Sequence, residues 1–169
     1  EYTENLSVSE ETPEVRLEGF RRTGLFDGEF SIVFAYLLLY EIGKEEQYLQ
    51  LAKLHTENIL PLIQKDKNFD LLGGNAGGII TLLKLYDITG DEAYLKTAEA
   101  AGDTLCSHAK KMESGIGWPG PGEAPLCGMA HGNSGIMTAF ARLYQKTGNR
   151  RFYEACLQCL DYEDSLYAE

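Results

Sequence analysis

The chain has 169 residues, 44% of them apolar and 11% aromatic, and a formal net charge of −11. This describes one domain, or a piece of one, with enough apolar side chains for a core; the acidic balance argues against non-specific binding to nucleic acid or an anionic membrane, which needs clustered Lys and Arg. Cys106, Cys127, Cys156 and Cys159 have no spacing that reads as a disulfide framework, no apolar run approaches a membrane span, and the first residues lack a signal peptide's charged and apolar regions, so a cytoplasmic setting is expected.

In chain order, residues 1–23 are acidic and then basic at Arg21 and Arg22, and read as a lead-in segment of one helix. The chain starts as though cut from something longer. A glycine-rich approach, Gly24 to Ser31, opens onto Ile32, Phe34 to Leu39 and Tyr40, a helix apolar nearly all round that has to be buried on most sides. A turn at Ile42 to Glu45 leads to an amphipathic helix from Glu46 to Leu60. The same order returns with Phe69 to Gly78, the apolar run Ile79 to Tyr86, a Thr89-Gly-Asp-Glu turn and an amphipathic run from Glu92 to Met112. After Ser114 to Pro125, an irregular stretch holding Trp118, it returns again with Cys127 to Gly135, a further apolar helix, Thr147-Gly-Asn-Arg, and Arg151 to Tyr167. In these turns glycine supplies the positive φ that ends a helix, and Asp91 or Asn149 caps the next one.

The repeat survives counting. With Gly28, Gly74 and Gly132 aligned, Tyr40, Tyr86 and Tyr144 stand twelve residues later, and Tyr48, Tyr94 and Phe152 eight after those. The units are 46 and 58 residues apart, so each has a fixed part and a variable connection. No alternating strand pattern is evident. The fold class expected is all-α, made of inner–outer helical hairpins at about 24–65, 70–113 and 128–167, with residues 24–169 as one domain.

Gly28, Gly74 and Gly132, with Ser31, Gly77 and Gly135 three residues on, clear bulky side chains from the first turn of each inner helix. Helix starts can then crowd together, and amide N–H groups are left for an anion or a carbonyl. Crowding does not require what else is present: Asp27, Asp70 and His131 stand at the mouths of the three units and, if the units surround an axis, look into a common space. Among other candidate ligands, Cys127 and His131 lack a third partner. Cys156 and Cys159 have zinc-pair spacing but sit mid-helix without a second pair, and His55 and His108 read as surface residues on outer helices.

Ala130-His131-Gly132-Asn-Ser-Gly135-Ile resembles the Ala-His-Gly-x-x-Gly-Ile motif of the lanthionine synthetase C-like cyclases, and Asp70-Leu-Leu-Gly-Gly74-Asn-Ala-Gly77 their Asp-x-x-x-Gly-x-x-Gly repeat. The resemblance covers about residues 24 to 167 and looks closest to the cyclase half of the class II lanthipeptide synthetases (LanM). It implies a partial α/α toroid, three hairpins of the family's seven. The activity implied is addition of a precursor peptide's cysteine thiols to dehydroalanine or dehydrobutyrine, forming thioether rings, with His131 as acid/base residue, Asp70 as a second catalytic residue, and a zinc ion that activates the thiol.

The departures limit this. The family's zinc ligands, a Cys in Trp-Cys-x-Gly and an adjacent Cys-His pair, follow the Ala-His-Gly segment and would lie beyond Glu169. No metal is therefore expected in this chain, and alone it is expected to be inactive, as a fragment or truncated relative. Ser31 replaces a motif glycine. Two other classes stay open: a carbohydrate-active α/α toroid with Asp70 and Glu123 as paired carboxylates, and a non-catalytic helical-repeat module. Stopping after three hairpins is also expected to expose inner-helix residues such as Ile136, Phe140 and Leu143, or those near Phe30 and Phe34, and so to drive self-association or bring the N-terminal segment back over one of these faces.

Overall fold

The computed structural model describes residues 23–119 and 123–167. The lead-in expected over residues 1–23 lies outside them except for Thr23. Six helices are described: α1 (Phe30–Gly43), α2 (Glu46–Ile63), α3 (Asn75–Thr89), α4 (Glu92–His108), α5 (Asn133–Thr147) and α6 (Arg150–Tyr167). Each odd helix packs chiefly on the even helix that follows it, making three hairpins. The odd helices also pack on one another, with α3 between α1 and α5, so they form the continuous inner layer. This is the all-α hairpin architecture expected.

Amphipathic patterning explains the layering. Helix α3 turns Ala76, Ile79, Leu82, Leu83 and Leu85 into the core from most of its circumference. The amphipathic α4 and α6 bury one stripe each, Leu95, Ala98, Ala101 and Leu105 on α4 and Phe152, Ala155 and Cys159 on α6. Phe140 of α5 and Phe152 of α6, both fully buried, stack with ring centroids 6.0 Å apart.

Helix α1 departs from its composition. It buries only Phe30, Val33 and Leu37, while Ile32, Leu38, Leu39 and Ile42 are exposed, Ile42 to 84%. The cause is position: among the described elements it packs chiefly on α2 and α3. Of the residues expected to be uncovered, Ile136, Phe140, Leu143 and Phe30 are buried, Phe140 on Phe152 of α6, Leu143 against Gly102 of α4 and Phe30 against Gly78 of α3, whereas Phe34 is half-buried and its neighbours Ile32, Leu38 and Leu39 are open.

The hairpin turns repeat to the residue. The N–H of Lys44, Gly90 and Gly148, each sixteen after its aligned glycine, donates to the carbonyl of Tyr40, Tyr86 and Tyr144 at 2.8, 2.8 and 2.9 Å. All three residues are left-handed, with φ of 54°, 70° and 67°. In the first hairpin the left-handed residue is therefore Lys44, not the glycine before it. Asp91 and Asn149 cap as expected, their side-chain oxygens accepting from Ala93 N–H at 2.9 Å and Arg151 N–H at 3.2 Å.

Helix α4 stops at His108, short of Met112. Lys110–Lys111 (β1) pairs antiparallel with Ile116–Gly117 (β2) in a small hairpin of strands that the sequence pattern did not signal. Gly115, at φ 68°, lies so close to α6 that a Cβ would stand 2.0 Å from the Gln158 carbonyl. Trp118 is tied in rather than free, with its Nε1–H donating to Leu105 O at 3.0 Å and its ring on Phe140.

A left-handed non-glycine residue costs about 1–2 kcal/mol, offset at Lys44 by its ammonium lying 5.3 Å from the Tyr40 ring centroid. Lys44→Gly is expected to raise unfolding stability by roughly 0.5–1 kcal/mol in a denaturant titration. A loss of stability would contradict this account of the turn.

Candidate active site at the inner-helix starts

The approach loops join edge to edge through their backbones. Phe26 N–H donates to Leu72 O at 3.0 Å, and Leu72 N–H donates to Ala130 O at 3.1 Å. These three residues occupy one position of the repeat, two before the aligned glycine. Leu25 N–H adds a bond to Leu71 O at 3.3 Å, again between equivalent positions. One ladder thus sets the height of all three helix starts.

Close approach explains the glycines. A Cβ on Gly74 would stand 2.4 Å from the Asn68 backbone, and one on Gly132 2.2 Å from that of Cys127. A Cβ on Gly77 would meet Leu71 O at 2.3 Å and Leu25 N at 2.4 Å; on Gly135 it would meet Met129 O at 2.1 Å and the Leu71 side chain at 2.9 Å. Each motif glycine three residues into the unit therefore admits its own loop and the loop of the unit before it. Ser31 holds this position in the first unit, where no earlier approach loop is described. Gly28 is buried, and its carbonyl accepts the Ser31 N–H at 3.0 Å.

The helix-start amides are not left for an anion. Asn75 N–H donates to Asn68 O and Asn133 N–H to Leu126 O, both at 3.0 Å, and Ser134 N–H goes to Glu163 Oε1 at 2.7 Å. The two asparagines that follow the aligned glycines, Asn75 and Asn133, are buried and donate their side-chain amides to Ile63 O (3.0 Å) and Ile116 O (2.6 Å). Asn75 Oδ1 also accepts the hydroxyl of buried Thr23 at 3.0 Å. This repeated anchor is legible in the sequence as Gly-Asn in both units.

At the mouth so built, Asp70 and His131 meet. Asp70 Oδ2 lies 2.8 Å from His131 Nδ1, while its Oδ1 accepts the Gly73 N–H at 2.7 Å. The backbone bond fixes the carboxylate. A carboxylate accepts, so Nδ1 is the protonated nitrogen and Nε2 carries the lone pair of the neutral ring. His131 is 54% exposed and Asp70 22%, so the ring is reachable while its orienting group is mostly covered. Asp27 abuts the same row, its Oδ1 2.7 Å from where a Gly73 Cβ would be. A cleft of about 450 Å3 lies against the pair, its walls including Lys67, Phe69, Glu123, Leu126 and Ile136.

Glu163 of α6 had no sequence signal, since it sits in the acidic run Asp161 to Asp164 of an amphipathic helix. Its Oε1 accepts from Gly128 N–H (3.1 Å) and Ser134 N–H (2.7 Å), and its Oε2 from the Ser134 hydroxyl.

The remaining candidates do not join the site. His108 packs on Phe69 and bonds Thr104 O through Nδ1; His55 stacks on Tyr36. Burial pushes up the thiols of Cys106, Cys156 (to about 11) and Cys159, and that of Cys127, which the Glu163 charge raises further. A zinc-bound cysteine needs the opposite shift. Among the described residues no three His, Cys, Asp or Glu side chains are gathered in a way that could hold a metal ion. This donor set does not fit a zinc centre.

The fold and the Asp70–His131 pair define a helical-hairpin protein with an oriented histidine at its inner-helix starts. The family model for lanthionine synthetase C-like proteins matches residues 2–169, and the chain belongs to that family. No curated protein matches it in a sequence comparison. Membership of this family goes against the carbohydrate-enzyme alternative. No helix among the described residues is long and apolar enough to cross a membrane.

Asp70→Asn removes an obligate acceptor, since its amide nitrogen can face the ring. The 15N shifts of His131, one of three histidines, are expected to show an Nδ1–H ring in the native chain and a swing toward the Nε2–H tautomer in Asp70→Asn. Identical spectra would refute the pairing.

Proposed function

We propose that this chain is the histidine–aspartate portion of a lanthionine-forming cyclase, with His131 as the acid/base group and Asp70 as the residue that orients it. The observation that carries the reading is the Nδ1···Oδ2 contact of 2.8 Å between two approach loops of a lanthionine synthetase C-like fold.

In the proposed reaction a peptide cysteine thiol loses its proton and the sulfur bonds to the β-carbon of a dehydroalanine or dehydrobutyrine. The C=C electron pair moves toward the carbonyl as an enolate, and a proton returns to the α-carbon; atoms and charge balance without an oxidant or reductant. His131 Nε2 is placed to hold and deliver that proton. Asp70 stabilises the imidazolium whenever the ring is doubly protonated, as a buried carboxylate does for a general-base histidine. Exposed Leu126 and Met129 flank His131 in sequence and offer apolar contact to an extended peptide.

We extend the proposal to kinship with the LanM cyclase half, a zinc ion held by residues outside this segment, a cytoplasmic precursor peptide as substrate, and inactivity of the chain alone. The last is supported by the thiols above, all four of which are shifted upward on balance, with burial the largest cause. Incubated with a dehydrated, cysteine-containing peptide, the chain is expected to leave the thiol open to alkylation, read by mass spectrometry. In a cyclase assembled with this segment and the family's thiol-activating half, His131→Ala is expected to slow thiol loss by about 10²–10⁴-fold. An unchanged rate would remove His131 from the chemistry.

Self-association, proposed for the exposed inner layer, now falls on α1, where Ile32, Leu38, Leu39 and Ile42 are open. Light scattering is expected to show concentration-dependent oligomers that Leu39→Lys with Ile42→Glu disperses. A native chain that stays monomeric at high concentration would end this proposal.

A further inference from the structure

We propose that Glu163 is a positioning residue for His131, holding the catalytic loop from outside the inner layer. Gly128 and Ser134, whose N–H groups its Oε1 accepts, stand three residues before and three after His131. The Ser134 hydroxyl occupies the other oxygen. Together with the Leu72 N–H on Ala130 O, this pins the loop on both sides of the ring.

Comparison of the repeats shows why an outside clamp is needed. Four residues before the aligned glycine, the second unit has Asp70, whose carboxylate braces its own loop through the Gly73 N–H. The third unit has Gly128 there, at φ 94°, and so no side chain of its own to do this. Glu163 supplies the missing carboxylate from α6. The arrangement also places a negative charge on a first-turn amide of α5, where it interacts favourably with the helix dipole. Its neighbour Tyr162 fastens the preceding stretch, donating to Pro125 O at 2.8 Å.

A cap that only stabilised α5 would lower the melting temperature and leave the His131 ring unchanged in the folded protein. A positioning role alters the ring itself. In Glu163→Ala, and more weakly in Ser134→Ala, which deletes one of the three bonds, the Nδ1–H signature of His131 is expected to weaken by about two-fold or more as the ring leaves Asp70. Leu49→Ala, a core truncation on α2 remote from the loop, serves as the stability control and should leave that signature in place. An unaltered 15N signature in folded Glu163→Ala and Ser134→Ala, with a reduced melting temperature, would reduce Glu163 to a cap and overturn the proposal.

The activity arm alone rests on the cyclase reading. In the assembled cyclase Glu163→Ala is expected to lower the rate about 10²-fold. The double variant with Asp70→Asn should be no slower than Asp70→Asn, since both act through one contact. A multiplicative loss would show that Glu163 acts by another route. A tautomer change without any rate change would instead leave Glu163 as the positioning group and remove the cyclase role of His131.

Discussion

The contact on which the rest of the site depends is the backbone ladder Phe26–Leu72–Ala130. It uses main-chain groups at one repeat position, so it fixes the relative height of three helix starts without help from any particular side chain. A buried peptide group left unpaired would cost about 1–3 kcal/mol, and side chains at the motif glycines would hold the loops apart. Gly77 and Gly135 are thus conditions for the ladder, and the ladder is the condition for Asp70 to reach His131.

With the loops at fixed height, the polar residues can differ between units while the frame stays constant. The middle unit contributes an aspartate whose two oxygens split between its own backbone and the neighbouring imidazole. The last contributes the histidine, on a loop braced from α6. One repeated scaffold thereby carries a non-repeated site, which follows if packing constrains the glycines and asparagines and leaves the loop tips free. The cysteines show the converse: Cys159 is buried, Cys106, Cys127 and Cys156 are half-buried, and burial shifts all four thiols away from the thiolate.

The first hairpin shows what happens at the end of such a layer. Helix α1 has the apolar composition of an inner helix but, among the described residues, neighbours on only part of its surface, and Ile32, Leu38, Leu39 and Ile42 are exposed. Helix α5 does not mirror it: Ile136, Phe140 and Leu143 are buried, with Phe140 on Phe152 of α6 and Leu143 against Gly102 of α4. Composition and environment disagree at one edge of the layer and agree at the other.

Helical periodicity, the twelve-residue spacing from glycine to tyrosine and the turn chemistry determine the hairpins, the all-α class and the caps at Asp91 and Asn149, because all of these are local in sequence. The motif around His131 and the spacing of Asp70 likewise mark the two residues that meet, since both stand on the approach loops of adjacent repeats, four and one residues before the aligned glycines, and those loops lie side by side. Only the tertiary structure decides that Nδ1 is the nitrogen facing Asp70, that Glu163 reaches Gly128 and Ser134, that Lys44 takes the left-handed turn, and that Trp118 is spent on Leu105 and Phe140. Those contacts join residues 29 or more apart in the case of Glu163 and 61 apart for the pair. The geometry of the pair depends on how one hairpin sits against the next, and that of the Glu163 contacts on how α6 packs on α5, both set by the fit of buried side chains and invisible in any single stretch of sequence.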